Sequence, residues 1–171
     1  MTKVLEHFNS LPSDEAEDEL LKCCGSKRWT RQVTESRPFA NLNELIETAD
    51  RIWSKLEPQD WLEAFRSHPK IGENNAEQSQ SATARSWSEQ EQSGTRDAAR
   101  EIMEALAAGN RDYEKKFGHI FIVCATGKTS SEMLALLRVR ADNDAETELR
   151  IAAEEQRKIT ALRLKKLLGP D

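Results

Sequence analysis

Apolar residues recur three and four positions apart along most of this chain, a period that fits a helix and not a strand, whose faces alternate at every second residue. The clearest stretch runs from about Asn41 to Leu56, where Leu42, Leu45, Ile46, Ala49, Ile52, Trp53 and Leu56 share one side. Pro38 breaks the chain before it, and Pro58 opens the next helix, which carries Trp61, Leu62 and Phe65 inward and ends at His68. Shorter helices are expected over Val4 to Asn9 and over Arg28 to Thr34. Between them Ser13 is expected to cap a helix with Asp14, Glu15 and Glu17 in its first turn and Gly25 past its end. Further on, a helix from about Ser88 should stop at Gly109, with a last turn from Tyr113 to Phe117 before Gly118. Two more follow, Glu132 to Ala141 and about Asp144 to Leu168. Ile120 to Cys124 is β-like but too isolated to build a sheet, and reads as a buried extended link. The expected fold is all-α: a single compact multi-helix domain over residues 1–171 with one short extended segment near 120–125.

With 171 residues the chain can bury a core without staples. Lys and Arg number 25 against 30 Asp and Glu, giving a net charge of -5, and the basic residues are dispersed; aromatics are only 6%. That pattern argues against nucleic acid as the main partner. Three cysteines, two of them adjacent as Cys23 and Cys24 and the third at Cys124, lack the C-x-x-C spacing that starts a zinc site, and read as reduced thiols. No run is apolar for long enough to span a membrane, and Met1 to Asn9 lacks the hydrophobic core of a signal peptide. The final residues are not a Ser-Lys-Leu-type tripeptide, so a cytoplasmic protein is expected.

Five segments bear on chemistry. In Ser67-His68-Pro69-Lys70-Ile71-Gly72, proline fixes its own φ and pushes His68 out of the α region at the end of a helix. An imidazole held there can exchange protons near neutral pH, although His68-Pro69 can equally be a plain helix stop. In Ser86 to Gly94, Ser88 with Glu91 or Ser86 with Glu89 forms a capping box, and the helix N-terminus it would open also suits an anionic ligand. The polar stretch Asn74 to Arg85 reads as a surface loop or a weak helical excursion, and as a loop beside the His-Pro turn it would suit a lid. On the last helix Leu149, Ala152, Gln156, Thr160 and Leu167 mark the inward side, and Arg163 falls within that arc. A buried arginine needs an internal carboxylate or a ligand anion, unless its stem snorkels to solvent. Thr126-Gly127-Lys128-Thr129 imitates the end of a phosphate loop but has Ile122 where glycine is required; a turn and a Thr129–Glu132 capping box explain it.

Taken in order, Trp29, Arg37-Pro38-Phe39, Trp61 to Phe65, His68-Pro69-x-Ile71-Gly72, Ser88-x-x-Glu91-Gln92-x-Gly94, Tyr113 to Phe121, Arg140 with Asn143, and Leu162-Arg163-Leu164 resemble the 2-oxo-4-hydroxy-4-carboxy-5-ureidoimidazoline decarboxylase family almost end to end. The resemblance implies an all-α, homodimeric enzyme of urate degradation that needs no cofactor or metal and yields (S)-allantoin. It implies His68 as proton donor, with Pro69 forming the wall beside it. It implies Ser88, Glu89, Gln90, Glu91 and Gln92 as a substrate-binding segment in which Glu91 also serves catalysis. Phe121, Ile122, Val123, Cys124 and Ala125 would offer backbone groups to the ligand, and Arg163 would hold a carboxylate or carbonyl oxygen. The partner implied is a small anionic substrate, with no nucleic acid and no membrane. Two other readings remain at this level: a helical adaptor whose polar motifs are only caps, and a related lyase acting on another ureido acid. An adaptor would expose an apolar stripe, whereas the enzyme requires His68, Glu91, Gln92 and Arg163 to converge.

Overall fold

The computed structural model describes residues 2–71 and 100–169. Eight helices and no strand occur among them: α1 Lys3–Ser10, α2 Ser13–Leu21, α3 Lys27–Glu35, α4 Leu42–Trp53, α5 Pro58–Arg66, α6 Arg100–Phe117, α7 Ser130–Ala141 and α8 Ala145–Leu168. The all-helical expectation holds. Residues 120–125 run as an extended link, also as expected. The segments Asn74 to Arg85 and Ser86 to Gly94, with Gly72, lie outside the described residues.

Two compact units divide the chain, Met1–Ala64 with Arg157–Asp171, and Phe65–Gln156. In the first, short polar side chains start the helices by taking otherwise unbonded N–H groups: Thr2 accepts from Leu5, Ser26 from Trp29 and Asn41 from Glu44, whose carboxylate accepts in return from Ala40. Ser13 does not cap α2. It is the first helical residue, preceded by Pro12, and no side chain bonds to that end. The core is built on Trp29, fully buried, whose indole N–H donates to the Ala49 carbonyl at 3.1 Å. Leu5, Phe8, Leu20, Val33 and Leu45 are buried in the same unit, each such side chain contributing about 1.5–3 kcal/mol of hydrophobic stabilisation. Arg37 donates to the carbonyls of Thr34, Phe8 and Leu11 and lies over the Phe8 ring, so its charge meets carbonyls at the C-terminal ends of α1 and α3.

The second unit packs α6 against α7 over a cluster of Ile71, Leu106, Tyr113, Phe121, Val123, Ala125, Met133 and Leu137. Here Gly109 is not a stop: α6 continues through it to Phe117. A Cβ at Gly109 would lie 2.6 Å from Leu137 Cδ2, so the glycine admits the close approach of α7. The helix ends instead at Gly118, whose φ of 74° is open to glycine and strained for other residues, and whose N–H closes onto Glu114. Alanine at Gly109 should gain about 1 kcal/mol of helix propensity but cost roughly 1–3 kcal/mol in overpacking of the buried Leu137. Gly109→Ala is therefore expected to melt at or below the wild-type temperature, and a clear rise in Tm would overturn that account of the glycine.

Candidate active site

Helix α5 ends at Arg66, and His68 follows in the turn that Pro69 forces out of the helix. The side chain is buried, only 7% exposed, and its Nε2 lies 2.7 Å from the amide oxygen of Gln156 on α8. Sequence reading placed Gln156 only on the inward side of the last helix. Its partner came from a distant segment and had no signal in the local pattern. Lys70, beyond the proline, pairs with Glu114 at 2.7 Å, and the Ile71 carbonyl accepts from the Asn110 amide at 2.8 Å. The turn after His68 is thus fixed to α6 at two points.

The extended segment Phe121 to Ala125 is buried throughout. Side chains hold it where strand neighbours would otherwise do so: Arg140 donates to the Ile122 carbonyl at 2.7 Å, Glu155 accepts from the Cys124 N–H at 2.7 Å, and Lys128 donates to the Cys124 carbonyl at 2.8 Å. Lys128 N–H closes the turn on Ala125, with Gly127 at φ 77°, and Thr129 and Glu132 complete the expected capping box of α7. Among the described residues the N–H and C=O of Val123 take part in no hydrogen bond. Glu155 and Gln156 are neighbours on α8, so consecutive side chains of one helix hold the extended segment and the imidazole.

Arg140 is itself held by a buried acid that sequence reading missed. Glu148, with no exposed surface, accepts from Arg140 Nε at 2.8 Å, from Asn143 at 2.8 Å and from the Tyr113 hydroxyl. Burial, and then the Glu148 carboxylate beside it, push the Tyr113 hydroxyl above its ordinary range, so it stays a neutral donor. Arg140 also stacks over the Phe121 ring, 4.6 Å from its centre.

His119 lies in the same unit among Phe65, Tyr113 and Phe117, with Nδ1 3.0 Å from the Ile120 carbonyl. Burial lowers its pKa from the ordinary 6.5. A base with a depressed folded pKa contributes stability above the unfolded value and loses it as pH falls through that value toward the folded one. His119→Phe should consequently lose less stability than wild type between pH 7.5 and 5.5 in urea unfolding; equal losses would remove His119 from the acid response.

Arg163 is buried, 2% exposed, as the helical wheel requires, and its guanidinium reaches the Lys22 carbonyl at 3.5 Å. It belongs to the first unit, where Cys23 and Cys24 are also buried free thiols. Burial pushes the Cys24 thiol up to about 12, which keeps it protonated and inert. Ser88, Glu89, Gln90, Glu91 and Gln92 lie outside the described residues. No helix among the described residues is long and apolar enough to cross a membrane.

The fold and these contacts define an all-helical protein whose last helix holds a buried imidazole and an extended, side-chain-anchored peptide. The chain belongs to the OHCU decarboxylase family, whose model matches residues 9–165. It is 42% identical over 154 residues to the uric acid degradation bifunctional protein TTL of Arabidopsis thaliana, covering 90% of this chain and 47% of that protein. It thus spans about half the length of that relative. The 2-oxo-4-hydroxy-4-carboxy-5-ureidoimidazoline decarboxylase of Haloferax volcanii is 26% identical over 161 residues, with 94% of this chain and 93% of that one covered. Among solved structures, that of an OHCU decarboxylase in the presence of (S)-allantoin superposes with a TM-score of 0.77 at 41% identity, covering 90% of this chain and 99% of that chain.

Proposed function

We propose that residues 1–171 act as one decarboxylase-like helical domain, a carboxy-lyase that converts 2-oxo-4-hydroxy-4-carboxy-5-ureidoimidazoline to (S)-allantoin in urate degradation. The observation that carries this reading is the likeness, over nearly the whole of that chain, to the OHCU decarboxylase crystallised in the presence of (S)-allantoin. The buried, polar-anchored His68 supports it from the chemistry. In this reading the protein is a cytoplasmic homodimer and works without a cofactor.

The substrate carries its own electron sink. The bond from ring carbon to carboxylate breaks, carbon dioxide leaves, and the electron pair passes into the adjacent C=N of the ring. One proton is then taken up at carbon, and delivery from one face sets the (S) configuration. His68 supplies that proton as general acid, and Pro69 shapes the wall beside it. Glu91 orients or polarises the reacting part, Gln92 hydrogen-bonds the ring or ureido group, and Ser88, Glu89 and Gln90 complete that binding segment. In the extended segment the Val123 peptide supplies an N–H and a C=O suited to a ureido ligand. A net charge of -5 does not draw an anion from afar. Arg163 therefore supplies local positive charge for a carboxylate or carbonyl oxygen.

The test is to generate the substrate in situ from urate and follow both its decay and the optical activity of the allantoin formed. Accelerated decay with an excess of the (S) form is expected; racemic product at the uncatalysed rate would refute the reading. In the same assay Arg163→Ala should lower kcat/KM by about 10- to 100-fold, the range for a lost charged hydrogen bond, while the protein stays folded. Global unfolding of that variant would instead mark Arg163 as a structural cation.

A further inference from the structure

Gln156 has no exposed surface, and its amide oxygen stands 2.7 Å from Nε2 of His68. An amide oxygen only accepts, so the ring nitrogen that faces it carries hydrogen. In a neutral imidazole a hydrogen on one nitrogen leaves the other as the acceptor, and the group bonded to the first decides the tautomer. We propose that Gln156 is a positioning residue that keeps a proton on Nε2 of His68 and makes Nδ1 the nitrogen that takes up and hands over the proton in turnover. This deepens the reading of His68 as the acid of the decarboxylation and rests on it.

The chemistry of the residue type favours that role. A glutamine is costly to bury unless its polar atoms are bonded, and a leucine would fill similar volume without that cost. A carboxylate in its place would favour the imidazolium form, whereas a neutral amide orients the ring without adding charge. Its neighbour Glu155 is engaged by the Cys124 N–H, and Lys70, on the segment of His68, is paired with Glu114. These charged groups on the adjoining elements stay the same in the variants below.

The experiment has a spectroscopic and a kinetic arm. Wild-type protein labelled with 15N-histidine reports the tautomer of His68 from its ring nitrogen shifts above its titration, the signal being assigned by its loss in His68→Ala. The Nε2–H form is expected, with a mixture of forms in Gln156→Leu; a dominant Nδ1–H form in wild type would overturn the proposal. In the urate-coupled assay, Gln156→Leu should lower kcat by about 10-fold or more, within the range of general acid–base contributions, with little change in KM. The near-isosteric Gln156→Glu should shift the pH profile of kcat/KM to higher pH by about one unit. A profile that stays in place in Gln156→Glu, with only Tm altered, would show a packing role and refute the inference. The tautomer is a property of the free protein, so it remains measurable even if wild type yields no (S)-allantoin and the decarboxylase reading falls.

Discussion

His68→Ala is expected to abolish the stereochemical excess of allantoin and to lower kcat/KM about 10²- to 10⁴-fold, the span that a general acid contributes. The expectation follows from the surroundings of the residue. The imidazole is 7% exposed and bonded to Gln156, so bulk water is poorly placed to replace it as a donor on one face. The substrate still holds its electron sink in the variant, and slow loss of carbon dioxide continues. Protonation then comes from either face, so chirality should fail more completely than decay. The measurement is the urate-coupled assay read by substrate absorbance and circular dichroism together. A variant that keeps the (S) excess and the wild-type rate would dismiss His68 as the donor. The turn is fixed by Lys70 with Glu114 and by Asn110 with Ile71, so the fold itself should survive.

Glu148→Gln carries the largest expected loss of stability. The wild-type carboxylate neutralises Arg140, itself 6% exposed, and accepts from Asn143 and Tyr113. Removing one partner of a buried pair typically costs about 3–5 kcal/mol, because the other charge is left without compensation in a medium that solvates it poorly. For a chain of this size that corresponds to a fall in Tm on the order of 10 °C. The double variant Arg140→Met with Glu148→Leu should recover part of the loss, since both buried charges go together. It should not recover activity, because the Ile122 carbonyl loses its donor and the extended segment one of its three side-chain anchors. A loss below about 1 kcal/mol in Glu148→Gln by chemical denaturation would sink the claim that this acid organises the unit.

What could be read from the sequence was whatever depends on residues close in the chain. The Thr129–Glu132 box was legible because both partners lie within one turn, and Arg163 was placed inward because helical period alone sets its direction. Gly109 was misread as a stop for the opposite reason: its role is set by Leu137 of another helix, which a local pattern does not contain. Ser13 had the residue type of a cap but stands after a proline, and the helix begins on it. Glu148 lies in the first turn of α8, where acids are common for the helix dipole, so nothing in the sequence singled it out as the acid that neutralises Arg140. The partnership of Gln156 with His68 is equally non-local. The match to the family rested on the order of many weak signatures, and the comparisons support it over residues 9–165.

The adjacency of Glu155 and Gln156 makes α8 sensitive to phase. Neighbouring helical positions differ by about 100° in direction, so a one-residue insertion or deletion upstream in α8 would turn both anchors away at once, and Glu155 would no longer meet Cys124 nor Gln156 meet His68. Individual substitutions at the exposed positions of this helix leave that phase intact. In this protein the length of the segment from Ala145 to Gln156 thus sets those contacts as much as the identity of any side chain on it.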